Sequence, residues 1–408
     1  MSDYRELQTK AISLLRDACT SYGILASPDE QDNYRRLWAR DSMIAGIAGM
    51  LAEDDTIMKG WKHSLLTLAE HQHPWGMIPS NVLTRQNKEA DLSYGGLAGR
   101  VDATGWFVVG ACLYMINHPD KELENDLRPG LRKALDLLDR WEFNGNGLLY
   151  TPLSGNWADE YPISGHTLYD NLLRLWGLRL FEQLYGDNKR SRQADHIEER
   201  VRINFWPQLS DSDHPDVYHP RCFLEAAEKG ADHYACALDP TGYNTHFDTA
   251  GHALALLLRL GTEEQLNSIF HHVDKVFAEV GSDLLPAFWP VITPDDPQWQ
   301  ALENNYSYNF KNQPHRFHNG GIWPVWMGWF GLGAHRSGRP ELSRRMLEAW
   351  EEAGGSEITF HEYIASDTLV GGGKKRLSFS AAGLIFLVSS IRSNFAQKLR
   401  FSQSGPGS

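Results

Sequence analysis

Hydrophobic residues recur at helical spacing along nearly the whole chain. In the segment 166–185, for example, Leu168, Leu172 and Leu175 follow one another at steps of four and three, which places them on one face of an α-helix. No segment alternates convincingly with the period of two that is typical of a half-buried strand. We therefore predict an all-α chain of about twelve helices, near 5–20, 41–53, 60–72, 103–117, 128–141, 166–185, 193–205, 248–260, 262–279, 321–336, 340–353 and 378–392.

Every second predicted helix follows a segment rich in polar, aromatic and glycine residues. The six segments are 38–41, 99–102, 156–166, 243–248, 317–321 and 362–380. If the helices alternate between an inner and an outer layer of a ring, all the even-numbered helices begin at the same end. The six segments would then converge on one mouth. This pattern predicts an (α/α)6 toroid, and a two-domain helical solenoid is the alternative.

The chain has no linker or low-complexity stretch that would divide it. We therefore predict one catalytic domain over residues 1–400. The small polar residues of 401–408 predict a disordered tail.

Two carboxylates lie among aromatic residues in distant parts of the chain. Asp159 follows Trp157, and Glu362 precedes Tyr363. Partial desolvation beside an aromatic ring raises the pKa of a carboxyl group, as a general acid near neutral pH requires. Inverting glycoside hydrolysis uses one acid and one base, separated by roughly 6.5–9.5 Å. Each residue alone is equally explained as an ordinary loop carboxylate, so the pair is a hypothesis.

Two further segments combine arginine with aspartate at predicted helix starts: Arg40 with Asp41, and Arg100 with Asp102. Such an aspartate can simply cap its helix. Beside an arginine it can also accept hydrogen bonds from sugar hydroxyls, and we favour this second role for both pairs.

The segment 317–324 places His318 and Asn319 before two glycines and Trp323. The glycines allow a ligand to approach the backbone closely, and the side chains offer a donor, an amide and a stacking face. A tight turn would explain the glycines but not the His-Asn pair. Trp157, His166 and Tyr363 complete the predicted sugar-binding set. The glycines of 371–373 predict a flexible loop.

Composition narrows the class of partner. The 14 Trp, 15 Tyr and 17 Phe suit carbohydrate, because flat apolar rings stack on sugar faces. The net charge of −13 and the absence of a basic run longer than residues 374–376 argue against nucleic acid. The apolar stretches are too short to span a membrane. We therefore predict a small carbohydrate substrate and no nucleic-acid or membrane partner, and the sequence leaves open whether identical copies associate.

The cysteines and the N-terminal segment indicate the cellular compartment of the protein. Cys19, Cys112, Cys222 and Cys236 show no paired spacing, which favours free thiols in a reducing compartment. The first residues lack a secretory signal pattern. Both features predict a cytoplasmic protein.

The 17 histidines show no spacing typical of a catalytic metal site. The sequence also lacks a serine-nucleophile motif, a P-loop and a dinucleotide fingerprint. We therefore predict catalysis with no metal or cofactor, which chelation would leave intact.

Taken in order, these motifs resemble those of the alkaline and neutral invertases (glycoside hydrolase family 100). The resemblance covers residues 34–390 and includes Arg40-Asp41, Trp157-Ala158-Asp159 and Glu362-Tyr363. Its remaining motifs are 76–80, 99–102, 165–166, 318–321, 323–324 and 373–383. The chain also resembles bacterial proteins of the amylo-α-1,6-glucosidase or glycogen-debranching type.

The resemblance implies an (α/α)6 fold and metal-free hydrolysis of sucrose, with Asp159 as the acid and Glu362 as the base. The chain departs from the invertases beside both groups: Glu160-Tyr161 replaces an arginine-rich segment, and His361 replaces a proline. We therefore expect a small α-glucoside, with sucrose first. An α-1,6-linked glucoside, trehalose and a glucosylated compatible solute are alternatives.

Functions of other classes stay open. A sugar isomerase or epimerase would use His166 and His318 as an acid–base pair. A phosphorylase would need a phosphate pocket, for which residues 374–376 are candidates. The third alternative is a carbohydrate-binding protein on an inactive enzyme fold.

Overall fold

The computed structural model describes residues 4–30, 32–85, 88–354, 358–393 and 395–401. Within these ranges the chain forms fourteen α-helices. They are α1 (Arg5–Asp17), α2 (Ala39–Ala52), α3 (Asp55–Glu70), α4 (Asp102–Asn117), α5 (Lys121–Arg140), α6 (Leu168–Tyr185), α7 (Asn188–Asn204), α8 (Pro220–Lys229), α9 (Thr249–Leu258), α10 (Glu263–Val280), α11 (Trp299–Asn304), α12 (Pro324–Arg336), α13 (Glu341–Gly354) and α14 (Ser378–Ile391). All twelve predicted helices are present, and α8 and α11 are additional.

Six of these helices form a closed inner ring. α2 packs on α4, α4 on α6, α6 on α9, α9 on α12, α12 on α14, and α14 returns to α2. The inner helices are buried on every side; in α12, every residue from Pro324 to Ala334 is buried. The outer helices are amphipathic, and α5 buries Leu123, Leu127 and Leu131 while its other face is polar. The closed ring confirms the predicted (α/α)6 toroid and excludes the open solenoid.

Small residues allow the inner helices to approach closely. A Cβ on Gly328 of α12 would lie 2.4 Å from the carbonyl oxygen of Gly383 on α14. A Cβ on Gly383 would in turn lie 2.2 Å from the carbonyl oxygen of Pro324. These contacts leave no room for a side chain, so α12 and α14 pack backbone against backbone.

Short antiparallel strands decorate the ring, although the sequence pattern predicted none. They are β1 (Cys19–Thr20), β2 (Gly23–Ile24), β3 (Leu37–Trp38), β4 (Asn81–Arg85), β5 (Lys88–Ser93), β6 (His166–Thr167), β7 (Ala237–Asp239), β8 (Gly242–Asn244), β9 (Phe247–Asp248), β10 (Phe288–Trp289), β11 (Tyr363–Ile364) and β12 (Gly371–Gly372). Strands of two to six residues are too short for a period of two to stand out.

These strands pair as β1-β2, β3-β4-β5, β6-β7-β8, β9-β10 and β11-β12. β3, β6 and β9 run directly into α2, α6 and α9. They therefore fix the chain where these inner helices begin, at the end of the ring that carries the decorated segments.

The main hydrophobic core extends from Ala11 to Leu399 and includes residues of all six inner helices. Ile203, Phe223 and Ala227 form a small separate cluster. None of the described helices is both long and apolar enough to cross a membrane. Of the predicted tail, Phe401 stacks on Trp176 with ring centroids 5.5 Å apart, and residues 402–408 lie outside the described ranges.

Candidate active site

The β11–β12 hairpin positions Glu362. Its backbone N–H donates to the carbonyl oxygen of Lys374 at 2.8 Å, and its Oε2 accepts the backbone N–H of Lys374 at 3.3 Å. The hydroxyl of Tyr34 donates a short hydrogen bond to Oε1. A Cβ on Gly373, whose φ is +70°, would lie 2.2 Å from Oε2. The glycine is therefore required for this placement of the carboxylate.

The environment of Glu362 suits a base that works near neutral pH. Burial raises the pKa of this carboxyl group above its usual range, while the Tyr34 hydrogen bond and the charge of Lys311 lower it. The residue is only 5% exposed. A carboxylate with a raised pKa accepts a proton more readily than an ordinary surface carboxylate.

Asp159 lies in a loop that several polar contacts hold. Its carboxylate forms a short ion pair with Arg100, and Arg100 also donates to the carbonyl oxygen of Ser154 at 2.8 Å. The amide of Asn305 donates to the backbone carbonyl of Asp159 at 3.3 Å. The side chain of Asp159 is 28% exposed, so a ligand can reach its carboxylate.

Lys311 pairs with Glu160, the residue after Asp159, and its charge also acts on Glu362. The ammonium of Lys311 lies 3.3 Å from Oε1 of Glu160 and 4.1 Å from the centroid of the Phe317 ring. The charges of Lys311 and Glu160 both act on the pKa of Glu362, in opposite directions. Glu160, the neighbour of Asp159, therefore acts on Glu362 through space, so the two segments share one electrostatic environment.

Arg40, Asp41 and Asp102 join the same environment from the starts of α2 and α4. Arg40 binds Asp102 at 2.8 Å and lies 3.8 Å from Asp41. Burial raises the pKa of Asp41 to about 6; Arg40 lowers it, and the charges of Asp102 and Glu362 raise it. Oδ2 of Asp41 is buried and has no hydrogen-bond partner among the described residues. Its nearest cation is Nε of Arg40, 3.8 Å away, so this oxygen has unused hydrogen-bonding capacity.

Aromatic rings form the neighbouring wall of this environment. The His318 ring stacks on Trp323 with centroids 5.2 Å apart and meets the edge of Trp157 at 5.2 Å. Burial and the nearby cations Lys311, Arg40 and Arg100 hold the pKa of His318 well below its usual range. The imidazole is therefore neutral, and its Nδ1 has no partner among the described groups.

Three of the predicted sugar-binding residues are committed to the protein itself. The amide of Asn319 bonds to both backbone groups of Ile292, at 2.7 and 2.8 Å, and to the carbonyl oxygen of Asn312. Trp157 is 2% exposed and stacks on Phe288. Both side chains pack within the protein, and their contact with a sugar stays a prediction.

His166 is the third. Its Nδ1 lies 3.0 Å from the carbonyl oxygen of Leu149, and its ring packs against Tyr150 and Tyr218. These contacts hold the His166 ring within the protein. Tyr363, in contrast, keeps part of its surface exposed and meets the edge of Phe317 at 6.0 Å.

The sequence analysis missed Tyr34 and Lys311 and gave Glu160 no role of its own. A weak signal existed for Lys311, which is the only cation between residues 299 and 314 in a segment rich in aromatic and amide side chains. The prediction of a flexible loop at 371–373 was wrong. Gly371 and Gly372 form β12, and Cβ atoms there would collide with His361 and Tyr363.

Two more inner-helix aspartates are buried near this end of the ring. Burial raises the pKa of Asp170 and of Asp248 to about 7 each. Oδ2 of Asp170 accepts from the hydroxyls of Thr151 and Thr167 and from the amide of Asn156. These bonds keep the Asp159 loop attached to the start of α6.

Comparison with known proteins supports the resemblance inferred from the motifs. Residues 219–391 match the family model described as alkaline and neutral invertase. The chain is similar to the alkaline and neutral invertases. It is 22% identical over 409 residues to the Arabidopsis thaliana protein named probable alkaline/neutral invertase A, chloroplastic, which covers 85% of this chain. The chain spans 64% of the length of that relative.

Solved structures share the fold. The GH63 mannosylglycerate hydrolase from Thermus thermophilus, in complex with Tris, superposes with a TM-score of 0.69 at 15% identity, over 94% of this chain and 100% of that one. A bacterial glucoamylase complexed with acarbose gives a TM-score of 0.60 at 15% identity, over 95% of this chain and 56% of that one. The toroid of this chain is thus the fold of known glycosidases.

Proposed function

We propose that this protein is a glycoside hydrolase, with Asp159 as general acid and Glu362 as general base. The observation that carries the proposal is the placement of Glu362, buried and held by Tyr34 and β12. It shares its electrostatic environment with Glu160, the neighbour of Asp159. The glycosidase fold and the similarity to invertases support the same conclusion.

The proposed reaction is a single displacement. Asp159 donates its proton to the glycosidic oxygen as the bond to the leaving group breaks. Glu362 removes a proton from a water molecule, whose oxygen attacks the anomeric carbon from the opposite face. The configuration inverts, so an α-glucoside yields β-glucose first. Asp41, with its unpartnered Oδ2, accepts a sugar hydroxyl, and the residues themselves supply all the acid–base chemistry.

We propose sucrose as the first substrate, because the relatives that match in sequence are named invertases. An α-1,6-linked glucoside, trehalose and a glucosylated compatible solute remain the alternatives within the same reaction class.

A second candidate substrate is a glycoside of a small hydroxy acid. The observation that favours it is length: the mannosylglycerate hydrolase matches end to end, whereas the chain spans about two thirds of the invertases. Lys311 gives the site a cation that would attract a substrate carboxylate. In this structure its ammonium lies 3.3 Å from Oε1 of Glu160.

The structure weakens the alternatives of other classes. Of the candidate phosphate-binding cations, Lys374 pairs with Asp32, and Arg376 pairs with Asp17 and Asp29 at 3.1 Å. The two histidines of an isomerase, His166 and His318, contact different sets of aromatic rings. These contacts favour the hydrolase over both alternatives.

A substrate panel tests the proposal. The protein is incubated with sucrose, trehalose, isomaltose, maltose, glucosylglycerol and mannosylglycerate, with and without inorganic phosphate, and the fresh products are followed by NMR. We expect hydrolysis of at least one glycoside with inverted configuration and no dependence on phosphate. Retained configuration would overturn the mechanism. A phosphate requirement would show a phosphorylase, and failure with every glycoside would argue against the enzyme class.

We retain the proposal of a cytoplasmic protein. All four cysteines are free, which suits a reducing compartment. Fractionation of the source cells with an antibody to the protein would test it.

A further inference from the structure

A cluster of nitrogen and oxygen ligands lies outside the active site, between the loop after α8 and helix α10. Asp232 and His233 come from the loop, and His272 comes from the helix. Nδ1 of His272 lies 3.0 Å from Oδ2 of Asp232, and Nε2 of His233 lies 3.7 Å from Oδ1. One ligand atom from each residue lies within 4.8 Å of the other two, close enough for one ion to bind all three.

The hydrogen bonds of His233 orient its ring for this role. Its Nδ1 lies 2.9 Å from the carbonyl oxygen of Tyr234, so Nδ1 carries the proton that this bond needs. The lone pair is then on Nε2, which faces Asp232. A hydrogen bond from the second ring nitrogen to a carbonyl oxygen is the usual support for a metal-binding histidine.

The surrounding packing holds the ligands in place. Phe247 stacks on His272 at 5.2 Å and meets His233 edge-on at 5.4 Å. The hydroxyl of Ser268, one turn before His272, donates to the backbone carbonyl of Asp232 at 2.8 Å. The loop and α10 are therefore joined before any ion binds, which reduces the cost of assembling a site.

We propose that Asp232, His233 and His272 bind one divalent transition-metal ion, with Zn²⁺ as the best fit. Two imidazoles and one carboxylate are typical ligands of Zn²⁺, Co²⁺ and Ni²⁺. Asp232 and His233 also line a cavity of 540 Å³, so water or a small anion completes the coordination from that side. The ion ties the loop to α10. This inference is independent of the proposed hydrolase activity, and the prediction of metal-free catalysis is unchanged.

Substitution of Lys275 tests whether Asp232 is a metal ligand. Its ammonium lies 3.4 Å from Oδ2 of Asp232 and competes with a cation for the same oxygen. Its side chain is 51% exposed, so it can move into solvent when the ion binds. Replacing it with a neutral residue should therefore strengthen metal binding.

The competing cluster of Glu199, His214 and Asp216 is less suited. Asp216 is paired with Arg200 at 2.9 Å, and Nδ1 of His214 accepts the backbone N–H of Asp216 at 3.2 Å. Glu199 is exposed. Metal binding there would have to break the ion pair between Asp216 and Arg200, and the bound ion would stay largely exposed beside Glu199.

The test is a Co²⁺ titration of the metal-depleted, untagged full chain, followed by visible absorption, with Zn²⁺ displacement afterwards. We expect one equivalent to bind. Asp232→Asn and His272→Gln should each weaken binding at least about 100-fold, since loss of an outer-shell partner alone costs 10–100-fold. His271→Gln, one residue away on the same helix, should bind as the original protein does. Lys275→Met should bind more tightly.

Circular dichroism in the presence of a chelator shows whether each variant is folded; Asp232 is 47% exposed, so its conservative substitution should leave the fold intact. Absence of Co²⁺ binding by the original protein would overturn the inference. So would normal binding by folded Asp232→Asn and His272→Gln, or loss of binding in His214→Gln alone.

Discussion

The two proposed catalytic carboxylates lie in different surroundings, which is what different roles require. Glu362 is buried, accepts the Tyr34 hydroxyl and lies near Lys311. Asp159 is more exposed and is paired with Arg100. An adjacent guanidinium favours the ionised form of a carboxyl group, so the acid role of Asp159 requires the bound substrate to separate Asp159 from Arg100 before the proton is transferred.

Substitution of the two carboxylates should therefore have different consequences. Asp159→Asn removes the proton donor, so hydrolysis of a substrate with a poor leaving group should fall by about 10²–10⁴-fold. α-Glucosyl fluoride, whose fluoride departs with little protonation, should be affected much less. Glu362→Gln removes the group that activates water and should impair both substrates. Steady-state rates on both substrates measure the contrast.

Added azide is a further control, because it can replace water and restore turnover of Glu362→Gln. Near-normal turnover by Glu362→Gln would contradict its role. Equal impairment of Asp159→Asn on both leaving groups would transfer the acid role to Glu160, whose Oε2 is buried without a hydrogen-bond partner among the described residues.

At the scale of elements, the β11–β12 hairpin depends on glycine. Tyr363 pairs with Gly372, and Ile364 pairs with Gly371. The next residue, Gly373, is in the left-handed region and touches the Glu362 carboxylate. The hairpin thus determines where the base lies, although its sequence looks like that of a loose loop.

Gly373→Ala should damage catalysis more than folding. The new Cβ would lie 2.2 Å from Oε2 of Glu362, so the carboxylate must move. A misplacement of about 1 Å can cost about 10²-fold in rate. The φ of +70° should also cost about 1–2 kcal/mol of stability. Steady-state kinetics and urea denaturation measure the two effects.

Gly281→Ala is the matched control. Gly281 ends α10 with a φ of +73°, and a Cβ there meets no atom within 4 Å. It should lose similar stability and keep its activity. If Gly373→Ala were as active as this control, the hairpin would not position the base.

At the scale of the whole molecule, four inner helices bring buried aspartates to the same end of the ring: Asp41, Asp102, Asp170 and Asp248. The charge of Asp102 raises the pKa of both Asp41 and Asp170, and that of Asp170 raises the pKa of Asp248. Within the part of the chain that the structure describes, only Asp102 has an ion pair shorter than 3 Å among these four. The toroid therefore concentrates negative charge that weakens the fold at neutral pH.

The free energy of unfolding of Asp170→Asn, measured relative to that of the original protein, should increase as the pH rises. The pKa of Asp170 is about 7 in the folded chain and about 3.9 when unfolded. Its contribution to stability is thus present below about pH 4 and lost as the pH rises through 7. The advantage of the variant should grow by about 2.5 kcal/mol between about pH 5 and pH 8.

Urea denaturation across this pH range measures the difference. Asp195→Asn is the control, since Asp195 is 64% exposed and its effect should stay constant over the same range. A pH-independent difference for Asp170→Asn would mean that the carboxyl group is not protonated more readily in the folded chain.

The sequence by itself determined the helices and their layers. Hydrophobic periodicity follows from which face of each helix is buried, so it locates all twelve helices of the ring. The layers follow from the polar and glycine-rich segments that precede every second helix, and the structure shows an amphipathic α5 outside and a buried α12 inside. The motifs likewise predicted that Asp159 and Glu362 lie in loops, because local composition marks those loops.

Only the tertiary structure decided which side chains meet there. Tyr34 reaches Glu362 across 328 positions of sequence, and Lys311 reaches Glu160 across 151 positions; neither contact leaves a local signal. The sequence also gives no sign that the amide of Asn319 bonds to the backbone of Ile292 or that Trp157 stacks on Phe288. The direction of a polar side chain depends on the partners that packing brings to it. Those partners lie far apart in the sequence and become neighbours only when the ring closes.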